Sequence, residues 1–163
     1  MNKQSLVAAV IAVVAVAAVV GGILFTSHSN RLTLNGQVLK VRSHQIDSEH
    51  TLVLIDLRLT NPSSQQLLVS DAEAFLDEAD GSSKTLEIFA ESDAARMLDY
   101  YKTLGTKANI GLIRRDKINA GQTVDRTIAA SAPMTEERVL SRKRFRFIVH
   151  DADGITAEVA ETR

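Results

Sequence analysis

The sequence contains no cysteine, no tryptophan and only two prolines in 163 residues. The absence of cysteine excludes disulfides, thiolate zinc sites, thiol catalysis and a lipid-modified cysteine. A domain without cysteine can lie on either side of a membrane, so this absence does not identify the compartment. Five phenylalanines and two tyrosines are the only aromatic residues, so stacking platforms for sugars or nucleic-acid bases are poorly supplied. Any folded domain in this chain must therefore be stabilised by its hydrophobic core.

A strong excess of charge of either sign is also missing, because 19 Lys and Arg face 20 Asp and Glu. The first 25 residues carry one base, Lys3, and no acid. Without Lys3, 18 bases face 20 acids, which is a formal charge of −2. A domain that neutralises many phosphates is normally strongly basic. We therefore do not expect nucleic acid to be a partner.

One long run has no charge at all, and it covers residues 6–25. At about 1.5 Å per residue a helix of this length spans roughly 30 Å, the thickness of the hydrocarbon layer. We predict one transmembrane helix at 6–25, preceded by a short tail at 1–5 and followed by a linker at 26–30 and one domain at 31–163. The alternative is a cleaved signal peptide with Ala15 and Ala17 near the cleavage site, but the run is longer than a signal needs.

The charges beside this run predict its orientation. Lys3 lies closer to it than Arg31, Lys40 and Arg42 do on the other side. Positive charge favours the cytoplasmic side of a membrane. We predict a single-pass membrane protein with a cytoplasmic N-terminus and an extracytoplasmic, periplasmic-side domain.

Small residues recur along one face of the predicted transmembrane helix. Small side chains allow a second helix to approach closely, so this stripe predicts a helix-packing face. The alternative is a chance stripe in a segment rich in Ala and Val. The face consists of Ala8, Ala12, Ala15, Ala18 and Gly22.

The remaining chain alternates apolar and polar residues in short segments, as β-strands do. The clearest strand is 51–60, with Val53, Ile55, Leu57 and Leu59 on one face. It ends in the turn Asn61-Pro62-Ser63-Ser64. A phase slip in the first strand suggests a bulge at Gly36. The other predicted strands are 32–44, 66–76, 84–89, 110–118, 123–130, 144–150 and 155–159.

Residues 92–104 break this alternation with apolar residues at helical spacing. Ser92 is suited to cap the helix and Gly105 to end it. The apolar positions are Ala94, Met97, Leu98, Tyr101 and Leu104. Together with the strands, the pattern predicts a mainly β protein, an immunoglobulin-like β-sandwich with one inserted helix.

Three segments carry a resemblance to a known family: 57–64 (LRLTNPSS), 75–81 (FLDEADG) and 119–123 (NAGQT). They resemble a bacterial family of immunoglobulin-like domains of unknown function, whose members are typically membrane-anchored or secreted. The Asn-Pro step is also similar to the water-stress domain of late-embryogenesis-abundant proteins. The resemblance covers most of residues 32–159 and implies a sandwich fold. It assigns no functional residue, since the shared motifs are turns. Ala120 stands where a proline is usual, and the helix is longer than expected.

No pattern in the chain indicates catalysis or metal binding. His28, His44, His50 and His150 include no pair at i,i+4 spacing, and we interpret His44 and His50 as solvated residues beside the first hairpin turn. The acidic segments 77–81 and 151–154 lack the spacing of a calcium loop and are typical of hairpin turns. No nucleophile elbow or phosphate-binding glycine loop is present. We expect no enzyme, no metal and no cofactor.

Two basic runs are candidates for contact with anionic lipid headgroups or an acidic partner. The alternative is a solvated strand edge that charge protects against aggregation. The denser run, a candidate basic contact patch, comprises Arg142, Lys143, Arg144 and Arg146, and the second comprises Arg114, Arg115 and Lys117.

These features favour a non-enzymatic interaction module that serves as an accessory or structural subunit of a larger membrane or envelope complex. Its expected partners are the lipid bilayer and other membrane-protein subunits, and a small-molecule ligand is not expected. The alternative is a membrane-tethered ligand-binding or stress-protective domain, which predicts a sizeable apolar pocket between the sheets.

Overall fold

The computed structural model describes residues 34–162. The predicted transmembrane segment 6–25 with its packing face, the tail 1–5 and the linker 26–30 lie outside these residues, as does His28. Within 34–162 the helices are too short or too polar to cross a bilayer.

About half of the described chain is in antiparallel β-strands, joined by two short helices and one 3₁₀ turn. The elements are β1 (Asn35–Gln45), β2 (Thr51–Thr60), β3 (Leu67–Asp77), β4 (Ser83–Ile88), α1 (Glu91–Tyr100), the 3₁₀ turn Lys102–Leu104, β5 (Lys117–Ile118), β6 (Thr123–Ala132), α2 (Glu136–Leu140), β7 (Arg144–Asp151) and β8 (Thr156–Ala160).

The strands follow the order β1-β2-β6-β4-β3-β7-β8, with β5 beside β3. β4 belongs to both halves of this sheet, since its first four residues pair with β3 and its last two pair with β6. The sheet therefore curls over at β4 into two facing halves that enclose one apolar core. This confirms the predicted mainly β, sandwich-type fold.

β2 lies at the centre of one half, and its predicted bounds are confirmed. Val53, Ile55, Leu57 and Leu59 are fully buried in the core between the halves. Phe145, Phe147 and Val149 of β7 reach the same core from the opposite half, as their alternation predicts. The strands whose inward faces are uniformly apolar are thus those that the pattern locates best.

The prediction of a bulge at Gly36 was wrong. Gly36 pairs regularly with Leu59, and the register slips between Val38 and Lys40. Glycine is needed here for another reason, because a β-carbon on it would lie 2.2 Å from Cγ1 of Val159. β8 thus approaches the backbone of β1 at a position where only glycine fits without movement.

α1 is shorter than predicted, because the regular helix ends at Tyr100 and only a 3₁₀ turn follows it. Ser92 does not cap it, since the N-cap is Ala90 and makes no side-chain cap bond. The predicted apolar face is confirmed, and it covers the outer side of β2 and β6 in a second cluster of buried residues. That cluster comprises Leu52, Leu54, Ala94, Leu98, Leu104 and Ala129.

Residues 110–118 do not form the predicted strand, of which only β5 is present. The backbone turns at Arg115, where φ is +69°, and the Arg115 amide donates to the Val69 carbonyl at 2.7 Å. Leu112 is buried in the core. The segment 105–116, called the 105–116 loop below, therefore covers part of the core. It meets the sheet locally, at Val69 of β3 and through a single bridge between Gly111 and Thr127 of β6, without forming a strand. Helix α2, which buries Val139, was not predicted.

Candidate interaction surface

The outer face of β2 changes from apolar to charged residues along its length, and α1 packs on the apolar part. Leu52 and Leu54 lie beneath α1, whereas Asp56 is covered by Arg42 and the 3₁₀ turn. The Asp56 carboxylate accepts hydrogen bonds from Thr127 Oγ1 at 2.6 Å and Arg42 Nη2 at 3.1 Å. Two residues further on, Arg58 forms an exposed ion pair with Asp125.

Arg42 connects this buried carboxylate to the backbone that follows α1. Its Nη1 donates to the Leu104 carbonyl at 2.7 Å and to the Thr106 carbonyl at 2.8 Å. Its Nε atom is buried without a hydrogen-bond partner. Arg42 therefore holds the end of the 3₁₀ turn and the start of the 105–116 loop against β1 and β2.

Glu91, the first residue of α1, holds the other part of the loop. Its Oε2 accepts the Gly111 amide at 2.9 Å, and its Oε1 pairs with Lys107. Burial lowers the pKa of Lys107. A β-carbon on Gly111 would lie 2.2 Å from Oε2 of Glu91, so glycine is required for this contact. Further along, Arg126 forms a bidentate pair with Asp116.

These contacts leave a groove between α1 and β4, which we call the aromatic groove. Its volume is about 610 Å³. Phe89, Met97, Tyr100 and Tyr101 supply its apolar and aromatic lining, and Glu87, Asp93 and Arg96 supply its charged lining.

Tyr100 is the most exposed large apolar or aromatic residue of the described chain, with 79% of its surface accessible. Its ring meets Tyr101 edge to face, with centroids 4.8 Å apart and an interplanar angle of 77°. Tyr101 packs in turn on His44 at 5.0 Å. Both tyrosines of the sequence therefore lie at one surface site. Exposed aromatic and Met side chains of this kind are enriched at protein interfaces.

A second depression lies on the other side of Phe89, where β4 leaves β3 for β6. Its volume is about 530 Å³. The floor is apolar, with Leu86 and Leu112 from the core, and Ile113 stands exposed at the rim with Arg114. We call this depression the β3–β4 cleft.

The structure engages most of the predicted basic contact patch in ion pairs. Arg142 is buried, lies over the Phe145 ring at 4.3 Å and pairs with Glu161 at 2.7 Å. Arg144 and Arg146 both turn to Asp77, with Nε to Oδ2 distances of 2.8 Å. Lys143 is exposed. In the second run, Arg114, Arg115 and Lys117 make no ion pair within residues 34–162.

Asp77 gives a test of these ion pairs by pH. The hydrogen bonds from Arg146, with further help from Arg144 and Ser83, hold the pKa of Asp77 well below its ordinary value of 3.8. A lowered carboxyl pKa stabilises the fold above the ordinary value, and this contribution declines as the pH falls toward the folded-state pKa. We expect Asp77→Asn to lower the free energy of unfolding by about 2 kcal/mol at neutral pH and by less at about pH 2.5.

Urea denaturation of both forms at the two pH values measures this difference. Asp153→Asn, in the exposed β7–β8 turn, serves as the control and should change the free energy by less than about 0.5 kcal/mol. A difference between Asp77→Asn and the unsubstituted chain that is constant with pH contradicts the ion-pair origin.

Two of the histidines and the second acidic segment make structural contacts. His50 pairs with Asp47 at 3.1 Å beside the first turn, and His150 pairs with Glu73 at 2.7 Å. In the second acidic segment, Asp151 Oδ1 accepts the Leu68 amide at 2.7 Å. In the described part of the chain, no group of three or more His, Asp or Glu side chains could hold a metal ion.

The sequence pattern did not predict the aromatic groove as a site, although it assigned two of the residues that line the groove to a helix. Met97 and Tyr101 were assigned to the apolar face of the helix, and both are half-buried there. The available signal was the pair Tyr100-Tyr101 itself, since this chain has no other tyrosine.

No protein-family model matches the chain, and no curated protein matches it. Several solved structures are similar to it in fold. An ApaG protein from Pseudomonas aeruginosa is 13% identical with a TM-score of 0.39, and the match covers 72% of this chain and 94% of that one.

The archaellum periplasmic stator protein FlaG from Sulfolobus acidocaldarius is 9% identical with a TM-score of 0.33, covering 78% of this chain and 98% of its own. An uncharacterized β-sandwich protein from Clostridium difficile 630 is 19% identical with a TM-score of 0.33, and the match covers 80% of this chain and 81% of that one. At these values the similarities transfer no function to this chain, and the resemblance to the immunoglobulin-like family stays an interpretation.

Proposed function

We propose that the chain is a single-pass membrane protein whose β-sandwich is a non-enzymatic interaction module, an accessory subunit that holds a partner protein at the α1–β4 surface. The observation that carries the proposal is the aromatic groove, where Tyr100 is 79% exposed beside Tyr101, Phe89 and Met97. Binding energy at interfaces is concentrated in such aromatic anchors.

The rigidity of this surface supports the same function. Glu91 fastens the 105–116 loop to the start of α1, and Arg42 fastens its beginning to β1 and β2. The apolar face of α1 is buried against β2 and β6. A surface whose elements are already fixed loses little conformational entropy when a partner binds.

The membrane anchor in this proposal is based on the amino-acid sequence. The charge-free run at 6–25 is long enough to span a bilayer, and the linker at 26–30 is short. A domain held so close to a bilayer favours partners in the same membrane, which the small-residue face from Ala8 to Gly22 would also contact. The N-terminus is cytoplasmic and the domain extracytoplasmic in this proposal.

Purification of the full-length chain from its native membrane in mild detergent tests the proposal. We expect a stoichiometric partner that is lost from Tyr100→Ala, because truncation of an aromatic anchor weakens binding by about 2 kcal/mol. Leu140→Ala is the matched control, since Leu140 is 58% exposed and lies on α2, outside the groove. A lone protein, or equal partner loss from both variants, contradicts the proposal.

The β3–β4 cleft favours a second candidate function, the tethered ligand-binding domain. Its apolar floor between β3 and β4 is of the type that holds small apolar ligands. This function predicts a lone protein that co-purifies with an apolar molecule detectable by mass spectrometry of the extract. Leu86→Gln at the floor should abolish that co-purification, whereas Tyr100→Ala should leave it unchanged.

A further inference from the structure

The charges of the aromatic groove indicate what kind of partner group fits it. Two carboxylates, Glu87 and Asp93, and one guanidinium, Arg96, line it. Arg96 is already paired with Asp93, with Nη1 3.6 Å from Oδ1. Glu87 is exposed and has no ion-pair partner in the described residues. The groove therefore carries one uncompensated negative charge beside its aromatic rings.

The end of α1 adds to this negative potential. The C-terminal end of a helix carries a partial negative charge, which Lys or Arg in the last turn normally offsets. The last turn of α1 has no basic residue and contains Asp99. Lys102, outside the helix, pairs with Asp99 at 3.0 Å and is exposed. Tyr100 and Tyr101 thus lie at the negative end of the helix dipole.

Aromatic faces attract cations in their own right. The electron-rich face of a tyrosine or phenylalanine ring binds an ammonium or guanidinium group that lies within about 6 Å of its centre. Three rings, those of Phe89, Tyr100 and Tyr101, line one groove of about 610 Å³. This space is large enough for a long, flexible side chain and its charged end.

We propose that the aromatic groove binds an arginine or lysine side chain carried by a basic segment of the partner protein, with Tyr100 and Tyr101 facing the cation and Glu87 supplying the counter-charge. The inference rests on the proposed interaction function and specifies the chemistry of its partner. The charge complementarity of Glu87 and the end of α1 favours a basic segment over an apolar or acidic one.

The chain provides its own probe for this binding. It contains no tryptophan, and its two tyrosines are both in the groove. Tyrosine fluorescence of the full-length chain therefore reports on this site. We would titrate the chain, in an uncharged detergent, with a short arginine-rich peptide that lacks aromatic residues and with a glutamate-rich peptide of equal length. A saturable change with the basic peptide alone is expected.

Substitutions of opposite charge separate recognition from a loss of fold. Tyr100→Leu should weaken peptide binding about fivefold, with Tyr101 still reporting. Glu87→Gln should weaken it about threefold, whereas Arg96→Gln should strengthen it about threefold, because it removes the competing cation. Asp153→Asn removes a carboxylate outside the groove and should leave the affinity unchanged.

Three results would overturn the inference. One is equal binding of the basic and acidic peptides, and another is a shift in the same direction for Glu87→Gln and Arg96→Gln. The third is tetramethylammonium binding as tightly as the peptide, which would assign the groove to a free organic cation. If Tyr100→Ala loses the native partner while the peptide does not bind, this inference fails and the proposed function stands. If the native chain has no partner, the proposed function fails.

Discussion

Asp56→Ala is expected to lower the free energy of unfolding by about 4 kcal/mol. Asp56 is 5% exposed, and its carboxylate is the anion that faces the guanidinium of Arg42. Without it, Arg42 stays largely buried with an unpaired charge, and the Thr127 hydroxyl loses its acceptor. Removal of one partner from a buried ion pair is far more destabilising than removal of both.

Urea denaturation of the full-length chain measures this effect, and β2 itself offers the matched control. Asp125→Ala breaks the Arg58–Asp125 pair on the neighbouring ladder, where Arg58 is half exposed, so the expected loss is below about 1 kcal/mol. The double variant Arg42→Met/Asp56→Leu should recover most of the stability lost in Asp56→Ala. Equal losses for Asp56→Ala and Asp125→Ala would contradict the assignment of a buried charge network.

Asn61→Ala is expected to lower the free energy of unfolding by about 3 kcal/mol. Asn61 is fully buried, and its Nδ2 donates to the carbonyls of Gln65 at 2.7 Å and Ile118 at 2.9 Å. Its Oδ1 accepts the Ser63 hydroxyl at 2.6 Å. The amide thus joins the turn after β2 to the end of β5, and alanine leaves these groups unsatisfied in the interior.

Asn61→Asp separates the donor from the acceptor role of this side chain. The carboxylate keeps the shape of the amide but loses both donated bonds and faces two carbonyl oxygens, so it should be at least as destabilising as alanine at neutral pH. Ser63→Ala removes only one donor to Oδ1 and should lose about 1 kcal/mol. Urea denaturation of the three variants tests this order, and a milder effect of Asn61→Asp than of Ser63→Ala would contradict it.

The sequence predicted those strands whose environment is uniform along their length. β2 presents Val53, Ile55, Leu57 and Leu59 to one core, so alternation alone locates it. The turn at Asn61-Pro62 was recognised from the missing amide of proline and the local bonding of asparagine. Its second role, the bond to Ile118, was not predictable because it connects residues far apart in the chain.

The predictions that were wrong, a strand at 110–118 and a bulge at Gly36, failed because contacts between residues far apart in the sequence decide these conformations. The 105–116 loop contains Ile110, Leu112 and Ile113 in a strand-like pattern, but side chains fix its backbone, since Glu91 accepts the Gly111 amide and Arg42 donates to the Thr106 carbonyl. The loop therefore meets β6 through a single bridge, at Gly111, and does not continue as a strand there. Gly36 must be glycine because the side chain of Val159, which is far from it in the sequence, packs against its backbone. In both cases a distant side chain decides the local conformation, and no window of the sequence contains both partners.

The aromatic groove could not be predicted from the local sequence pattern, for a related reason. Glu87 and Phe89 come from β4 and its end, whereas Met97 and Tyr100 come from α1. Their proximity depends on how α1 packs across Leu52 and Leu54 of β2. The helical period predicted that packing face but not which residues would border it on the outside.

The position of β4 in both halves of the sheet determines how the domain opens. Leu86 pairs with Ala74 in one half, and Ile88 pairs with Ala130 in the other. Neither half can release β4 without loosening the other, so the two halves form one cooperative unit. Glu87 lies between these two pairs and lines the groove. A partner bound there would slow amide hydrogen exchange throughout the sandwich, because its binding free energy adds to the stability of the whole unit.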